Sequence, residues 1–487
     1  MAVQSKDTIG KYGHAVIMHP ALLLPEIVAT ILANGATLPG LLYTALTINK
    51  LFFNEAARLL WYQCGIRGSG VGSTGRVTPG IRHLVAIIER DVGRAQIYAN
   101  LIHVLVFGYE PEGNSYFIAY RWHPKLSQMQ FPRLDTASFF ALGAYILHYA
   151  RGLRTLCVSG REEIPGGWLD RLSEQCPSLK SLSLQVYRTS SIDHESFCHF
   201  LERSQSLEHL DVANMSSHWN SRTFRTAFLY PHLSRLECPL VLSDWLDTSM
   251  SGFTSLKSLT TTISDDALEL LHRITPDLIF LRLMTASEHI LSSVSMFTRL
   301  KSLDIVVPEN GIHSQDLLQL AKSCPNLFEV IIDSDRPLGP SSAISDEVMS
   351  IFALHLPNLK EVQLAYETRY TGLTLASLYS FGKHCPKLQR LQLPMKFDWH
   401  SMAQNVHDRT VVSKSLTNLT FSLGDGHVRL EDCSVEDQKQ AENMATSLAH
   451  ALPALLSFSF QGASPKEEAI IPYIMNIESM RDSEASN

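Results

Sequence analysis

The chain has 487 residues, more than one ordinary compact core accommodates, so several domains or a repeat array is expected. Hydrophobic residues make up 45% and charged residues 18%, which excludes a globally disordered chain. The net charge is −7 and no basic run is dense enough to indicate nucleic-acid binding. The apolar stretch 15–33 is interrupted by two prolines, a histidine and a glutamate, which argues against a membrane span. Eight cysteines without a C-x-x-C pair suit buried thiols in a reducing compartment, the cytoplasm or the nucleus.

The first elements in chain order are three short amphipathic segments, at 22–32, 38–46 and 52–61. A helix is predicted to begin at Pro25, because its fixed φ suits the first helical turn. Three short helices within about 40 residues form only a marginal independent core. Such a piece is commonly stabilised by a partner.

The same segments carry Leu24-Pro-Glu-Ile27, the pair Leu41-Leu42 and the pair Leu60-Trp61, with Gly40 before the leucine pair. In this order they resemble an F-box over residues 22–62, although that family usually has an acidic residue in place of Gly40. The resemblance implies docking on the linker subunit of an SCF ubiquitin ligase and, through it, on a cullin. The residues it places in or near the docking surface are Leu24, Pro25, Ile27, Val28, Ile31, Leu41 and Leu42.

The next segment, Gly70 to Gly75, reads GVGSTG and matches the dinucleotide template G-x-G-x-x-G. That fingerprint needs a strand before the glycines and a helix directly after them. Here the tail of a predicted helix precedes the glycines, and no helix is expected before Ile81. Arg76 and Val77 occupy the Lys and Ser/Thr positions of a phosphate-binding loop, so that motif fails as well. The composition favours a Gly/Ser linker over 63–80; a nucleotide-dependent enzyme is the alternative that rests on these glycines alone.

After the linker, residues 81–150 are predicted to supply an irregular first repeat or a cap. A weak copy of the repeat begins at Leu101, and a helix is predicted near Thr136 to Ala150, leading into Leu153.

From Leu153 onward the chain repeats the pattern L-x-x-L-x-L, with conservative swaps. Alternating apolar residues predict a short strand with one buried face. Segments with helical spacing, such as Ser314–Cys324, lie between the strands, and the unit Cys-Pro-x-Leu ends three of them. The copies begin at Leu153, Leu179, Leu207, Leu233, Leu256, Leu278, Leu300, Leu327, Leu359, Leu388, Leu416 and Leu455.

A strand–helix unit this short cannot bury a core alone, so neighbouring units must stack. The pattern predicts an α/β leucine-rich-repeat solenoid, with parallel strands on a concave face and helices on a convex face. It resembles the cysteine-containing class of leucine-rich repeats between Leu101 and Gln461. At Leu233 the sequence LSRLEC departs from the full unit, and a local distortion of the sheet is expected there.

Positions two, four and six after the first leucine of each copy should point to the concave side. Acids outnumber basic residues there, which favours a protein partner with a basic segment. The candidate partner-binding residues are Asp211, Glu237, Arg282, Asp304, Glu329, Asp333, Glu361 and Arg390, accompanied by His209, Arg235 and Gln392.

No arrangement of residues predicts catalysis. His194 and His199 in HESFCH are five positions apart, about 140° around a helix, so they do not form a zinc-protease pair. We therefore expect no catalytic residue, no metal and no cofactor.

An F-box-like segment followed by many leucine-rich repeats resembles the substrate receptors of SCF ubiquitin ligases, especially the divergent fungal type. The resemblance implies a non-catalytic adaptor for ubiquitin-dependent degradation whose repeats bind an unknown substrate protein. The alternative is a repeat scaffold without a ligase role, its first helices serving as a cap. The predicted division is 1–21 tail, 22–62 F-box-like domain, 63–80 linker, 81–461 repeats and 462–487 tail.

Overall fold

The computed structural model divides the chain into two compact units. The first comprises Met1–Ser181 and Val186–Ile192, and the second Leu182–Gln185 and Asp193–Asn487. The structure describes residues 19–36, 38, 40–65, 79–106, 125–140, 151–164, 166–188, 192–246, 255–284, 289–307, 312–334, 344–365, 372–394, 412–422 and 452–461. The glycine stretch 70–75 and the predicted tail 462–487 lie outside these residues.

The first unit opens with a 3-10 turn, Pro20–Leu23, and three helices: α1 (Pro25–Asn34), α2 (Leu41–Ala45) and α3 (Lys50–Leu60). The predicted helix start at Pro25 is confirmed. Gly40 caps α2 in the left-handed region, with φ +79°, a conformation that glycine adopts without strain. The two longer helices pack against each other and α2 packs on α3.

The rest of the first unit is the beginning of the repeat array. Its elements are β1 (Gln63–Cys64), α4 (Ile81–Arg90), α5 (Val92–Ala99), β2 (Val104–Val106), β3 (Thr136–Phe140), β4 (Thr155–Glu163) and α6 (Trp168–Gln175). The first four strands are parallel neighbours in chain order, with Cys64, Leu105, Ala137 and Leu156 aligned across them.

This unit corrects three sequence predictions. Gln63 and Cys64 were placed in the linker but form β1, so the first strand precedes the glycines. Thr136–Phe140 is a strand and not the start of a helix. The weak repeat copy is in phase from Ile102 and not from Leu101, because Leu105 occupies the buried, aligned position.

The two missed strands, β1 and β3, share one cause. The strands carry Trp61-x-x-Cys64 and Leu134-x-x-Ala137-x-Phe139 where later copies carry leucines. Small or aromatic residues fill the same buried positions, so the structural repeat continues where the sequence lacks the L-x-x-L-x-L pattern.

The second unit continues the alternation of strand and helix. Strand β5 (Ser181–Arg188) has residues in both units. The remaining elements are α7 (His194–Arg203), β6 (His209–Asp211), α8 (Ser221–Phe228), β7 (Arg235–Val241), a 3-10 turn (Ser243–Trp245), β8 (Ser258–Ile263), α9 (Asp265–Ile274), β9 (Phe280–Met284), α10 (Ile290–Val294), β10 (Ser302–Val307), α11 (Ser314–Ser323), β11 (Glu329–Ser334), α12 (Asp346–His355), β12 (Glu361–Ala365), α13 (Leu375–His384), β13 (Arg390–Leu393), β14 (Asn418–Ser422) and β15 (Ser457–Gln461).

Strands β6 to β15 follow one another in the sheet in chain order, and the registers described between them are all parallel. Each of the twelve predicted copies gives a strand that begins two residues after its first leucine. In the copy at Leu300, for example, Leu300, Leu303 and Ile305 are fully buried. The fold is an α/β leucine-rich-repeat solenoid.

The recurring Cys-Pro units are turns that join successive repeats. Cys324 is the C-cap of α11, and its thiol donates to the carbonyl oxygen of Phe297 in the preceding repeat at 3.4 Å. Cys385 ends α13 in the same way and donates to the carbonyl oxygen of Leu356 at 3.5 Å. The cysteine is a small buried donor that satisfies a carbonyl group one repeat away.

The expected distortion at Leu233 is a β-bulge. The register between β7 and β8 shifts between Glu237 and Leu240, at Pro239, which has no amide hydrogen for the ladder. The carbonyl oxygen of Leu240 instead accepts from the indole nitrogen of Trp219 at 2.9 Å.

Candidate partner-binding surfaces

The first candidate surface lies on α1. Leu24, Ile27 and Ile31 keep 51%, 36% and 45% of their surface exposed, and their spacing of three and four positions aligns them on one helix face. We call these three residues the N-terminal face. Pro25 is also exposed, and Leu41 is half-buried.

Two of the residues predicted for docking lie elsewhere. Val28 is fully buried and Leu42 is 5% exposed, so both belong to the local core of the three helices. Helix α1 is apolar on two sides, with Val28 and Leu32 turned inward and Ile27 and Ile31 turned outward. The inner stripe makes the bundle, and the outer stripe is left exposed.

The helices that carry the N-terminal face are continuous with the first repeat. Only Trp61 and Tyr62 separate α3 from β1, and the Trp61 ring stacks on Tyr98 of α5 at 4.8 Å between centroids. Tyr62 stacks on His103 at 4.9 Å. The chain therefore passes directly from α3 into the first repeat and packs on it through Trp61 and Tyr62, as the end of a cap would.

The second candidate surface is the concave side of the strands of the second unit. The predicted residues occupy strand positions that the core leaves accessible: Asp211, Glu237, Arg282, Asp304, Glu329, Asp333, Glu361 and Arg390. Direct strand partners align Glu329 with Glu361 and Arg390 in one row, and Arg282 with Asp304 in another.

Ion pairs connect several of these side chains across the strands. Nε of Arg282 lies 3.0 Å from Oδ2 of Asp304, and Nε of Arg390 lies 3.1 Å from Oε2 of Glu361. At the other end of the face, Asp211 accepts from the Ser183 hydroxyl at 2.6 Å.

Two more contacts complete this part of the face. Arg235 pairs with Glu237 at 2.6 Å within β7, and Glu329 accepts from the Ser302 hydroxyl at 2.6 Å.

Burial and crowding perturb two carboxyl groups of this face. The pKa of Asp304 is raised, chiefly by burial, while Arg282 opposes the shift and the charges of Glu329 and Asp333 add to it. The pKa of Glu361 is raised in the same way, by burial and by Glu329, against the effect of Arg390. Negative charge on β10, β11 and β12 is therefore crowded, even with two arginines beside it.

The charge pattern alone did not single out two apolar side chains on the same surface. Phe280 and Met284, on β9, are 41% and 55% exposed. They stand two and six positions after Leu278, so the repeat phase that located the charged residues would have located them too.

A Cys–His–Asn contact lies on the helices α7 and α8. The Nε2 atom of His194 is 3.5 Å from the Cys198 sulfur and 3.0 Å from Nδ2 of Asn220. The thiol is fully buried, and this burial raises its pKa, so it is poorly suited to act as a thiolate nucleophile. This arrangement is structural.

The described ranges hold neither a candidate metal site nor a candidate membrane-spanning helix. Within them, no three His, Cys, Asp or Glu side chains are grouped so that they could hold a metal ion. None of the helices in that part of the chain has the length and apolarity to cross a membrane.

No protein-family profile and no curated protein matches the sequence. Solved structures with a similar course of the chain include proteins described as containing leucine-rich repeats. An internalin from Listeria monocytogenes shows 14% identity, 78% coverage of this chain, 93% coverage of its own and a TM-score of 0.38. The Rad7 and Elc1 complex of yeast gives 14% identity, coverages of 77% and 86% and a TM-score of 0.35. The leucine-rich-repeat protein LegL7 from Legionella pneumophila shows 10% identity, 70% coverage of this chain, 98% coverage of its own and a TM-score of 0.31. Likeness of this degree establishes neither kinship nor a shared partner.

Proposed function

We propose that the protein is a non-catalytic adaptor of an SCF-type ubiquitin ligase, acting in the cytoplasm or the nucleus. Residues 22–62 act as an F-box that docks on the linker subunit, and through it on a cullin. The repeats bind the protein to be ubiquitinated on their concave side.

The observation that carries the proposal is the apolar outer stripe of α1. Terminal caps of repeat arrays need a polar outer face, because that face meets only water. Here Leu24, Ile27 and Ile31 present an apolar one instead, and Leu23 and Leu38 nearby are also exposed. A stripe of this kind is expected where another protein covers the helix.

The size of the stripe suits a hot spot within a larger interface. Burying a whole Leu or Ile side chain contributes about 1.5–3 kcal/mol, so the exposed halves of three such residues contribute on the order of 3 kcal/mol. Their removal should weaken docking by about two orders of magnitude.

The test is a pull-down of the intact chain with the purified SCF linker subunit. We compare it with a triple variant, Leu24→Ala, Ile27→Ala and Ile31→Ala. Because these three side chains are exposed, their removal leaves the core of the three helices intact. The matched control removes three other exposed leucines, Leu229→Ala, Leu354→Ala and Leu456→Ala.

Binding that the first variant loses and the control keeps is the expected result. If the intact chain does not bind, the ligase role is refuted.

The second candidate function is a leucine-rich-repeat scaffold without a ligase role. It is favoured by the direct passage of α3 into β1 and by the Trp61–Tyr98 stack, which make the helices a cap of the array. In that case Trp61→Ala destabilises the first repeat, while the triple variant has no effect on any partner.

A further inference from the structure

Three adjacent strands of the concave side present an apolar edge and an acidic edge. On β9, Phe280 and Met284 flank Arg282, and we call these two apolar residues the apolar wall. On β11, Glu329 and Asp333 flank Ile331, and we call these two acids the acidic wall. The register pairs Phe280 with Ser302 and Ser302 with Glu329. The register also pairs Met284 with Val306 and Val306 with Asp333. Both rows therefore run from an apolar residue on β9, across β10, to an acidic residue on β11.

We propose that this part of the concave side binds an extended segment of a partner protein that carries a large apolar side chain and a Lys or Arg three residues apart. The inference rests on the proposed function, in which the concave side holds the target. It adds the chemistry and spacing of the segment that is recognised.

The charge of the surface selects a basic partner. Among the described concave residues of β9 to β13, four carboxylates, Asp304, Glu329, Asp333 and Glu361, face two guanidinium groups, Arg282 and Arg390, for a net charge of −2. Arg282 pairs with Asp304 and Arg390 pairs with Glu361, and within these described positions the carboxylates still outnumber the guanidinium groups by two. An incoming cation beside the acidic wall therefore relieves crowded negative charge, whereas an acidic segment or a nucleic acid increases it.

The shape of the surface supports contact with both walls at once. A shallow cavity of about 150 Å³ spans β8 to β11, and one residue of each wall, Phe280 and Glu329, lines it. The ion pair of Arg282 and Asp304 lines the same cavity. Hydroxyl groups of Ser258, Thr260 and Ser302 line the same cavity, and they can accept hydrogen bonds from an ammonium or guanidinium group.

The backbone excludes recognition by strand addition. Strand β10 is paired on both sides, with β9 and with β11, so its amide and carbonyl groups are already used in the sheet. The partner must be read through side chains, which is the mode in which extended polyproline-type segments are bound.

The spacing follows from the sheet. Two interstrand distances separate the walls, about 9.6 Å in total. Three residues of a polyproline II helix advance about 9.3 Å and return the side chain to the same face. An apolar residue and a basic residue at positions i and i+3 therefore meet the two walls together.

The experiment measures binding of synthetic peptides to the immobilised full-length chain by surface plasmon resonance. The probe contains Leu-Pro-Pro-Lys within a neutral Gly/Ser/Pro flank. Three control peptides change one feature each: Leu-Pro-Pro-Glu reverses the charge, Ala-Pro-Pro-Lys removes the apolar side chain, and Leu-Pro-Lys shortens the spacing.

The protein variants remove either the charge of the acidic wall or one large side chain of the apolar wall. Glu329→Gln with Asp333→Asn keeps the shape and removes the charge, and Met284→Ala shortens the apolar wall. The matched control, Glu347→Gln with Glu269→Gln, removes two exposed acids from helices. We expect the probe to bind the acid-neutralised variant about threefold to fivefold more weakly, since its single lysine makes one exposed ion pair, which is worth up to about fivefold. The matched control should bind the probe as the unaltered chain does.

Equal binding of the Lys and Glu peptides, equal binding by the acid-neutralised variant, or no binding of the probe up to about 1 mM overturns the inference. The same variants are passed through the linker-subunit pull-down. If the intact chain binds the linker subunit but not the probe peptide, this inference alone is refuted. If the intact chain does not bind the linker subunit, the adaptor role is refuted.

Discussion

Asp346 links two successive repeats, and its removal should loosen both of them. It is the first residue of α12, and its carboxylate accepts from the Thr374 amide at 2.9 Å and the Thr374 hydroxyl at 2.6 Å. It also accepts from the hydroxyl of Ser377, a fully buried residue on α13. One carboxylate thus satisfies three donors at the N-terminus of the next helix.

The cost of Asp346→Ala can be estimated from these contacts. A buried hydroxyl left without a partner costs about 1–3 kcal/mol, and each hydrogen bond to a charged group contributes about 1.5–3 kcal/mol. Because Thr374 lies at the surface and regains water, we expect a net loss of about 2–4 kcal/mol in the free energy of opening α12 and α13.

Hydrogen–deuterium exchange resolves the opening of single repeats, which a global melting curve of a repeat array does not. The amides of α12 and α13 should exchange about 30-fold faster or more in the variant, while those of α7 and α8 stay unchanged. Glu347→Ala, one residue along and exposed, is the control and should change little. In the Ser377→Ala background, Asp346→Ala should cost less, because the buried hydroxyl is absent.

The pH dependence fixes the sign of the effect. Burial raises the pKa of Asp346, but the hydrogen bonds from Ser377 and Thr374 outweigh it, so the pKa is lowered in the folded state. A lowered carboxyl pKa contributes stability above its unfolded value, near 3.9, which is lost as the pH falls through the folded value. Exchange of the unaltered chain should therefore approach that of the variant in acid. A difference that is constant with pH, or an effect no larger than that of the control, would refute the assignment.

Three further predictions concern the core. Burial raises the pKa of the Cys324 and Cys385 thiols to about 12, so neither should react with a maleimide at neutral pH until the chain is unfolded; early labelling would contradict the repeat turns. Leu303→Ala removes a fully buried side chain and should cost about 2–5 kcal/mol, measured by local hydrogen exchange of β10 against its rate in the unaltered chain. Gly382→Ala should destabilise α13 although alanine favours helices, because its Cβ would lie 2.1 Å from the carbonyl oxygen of Val412; a gain in stability would show that this carbonyl can move.

The repeat phase could be predicted from the sequence because it depends on one simple constraint. The leucines at the first, fourth and sixth positions of each copy fill buried positions between strand and helix. Leucine therefore recurs in the sequence at the spacing of these buried positions. Strands β1 and β3 were missed because Cys64 and Ala137 fill the same positions with smaller side chains. In both strands the buried position is present, but a residue other than leucine occupies it.

Which of the residues proposed for docking are exposed could be predicted only in part, for a different reason. On α1, Ile27 and Val28 are adjacent apolar residues on different sides of the helix, and nothing in the letters tells which side meets α3. The structure buries Val28 and leaves Ile27 exposed. A helix that is apolar on both sides signals two contacts, one within the bundle and one beyond it.

Among the described residues, carboxyl pKa values are shifted in opposite directions by two kinds of environment. Asp346 is surrounded by hydroxyl and amide donors, its pKa is lowered, and its charge stabilises the fold. Asp304 and Glu361 on the concave side are half-buried among other acids, and their pKa values are raised. A raised carboxyl pKa means that the folded state holds the proton more tightly, so the stability these two groups contribute is present at acid pH and is lost as the pH rises through the folded values.

At neutral pH Asp304 and Glu361 are therefore held charged at a cost to the fold. Side chains retained at such a cost are expected where function requires them. A cation from a partner would reverse the sign of that cost, since it stabilises the same charges that the isolated chain crowds together. If the proposed basic segment binds there, Asp304 and Glu361 favour it for the same reason that they destabilise the free protein.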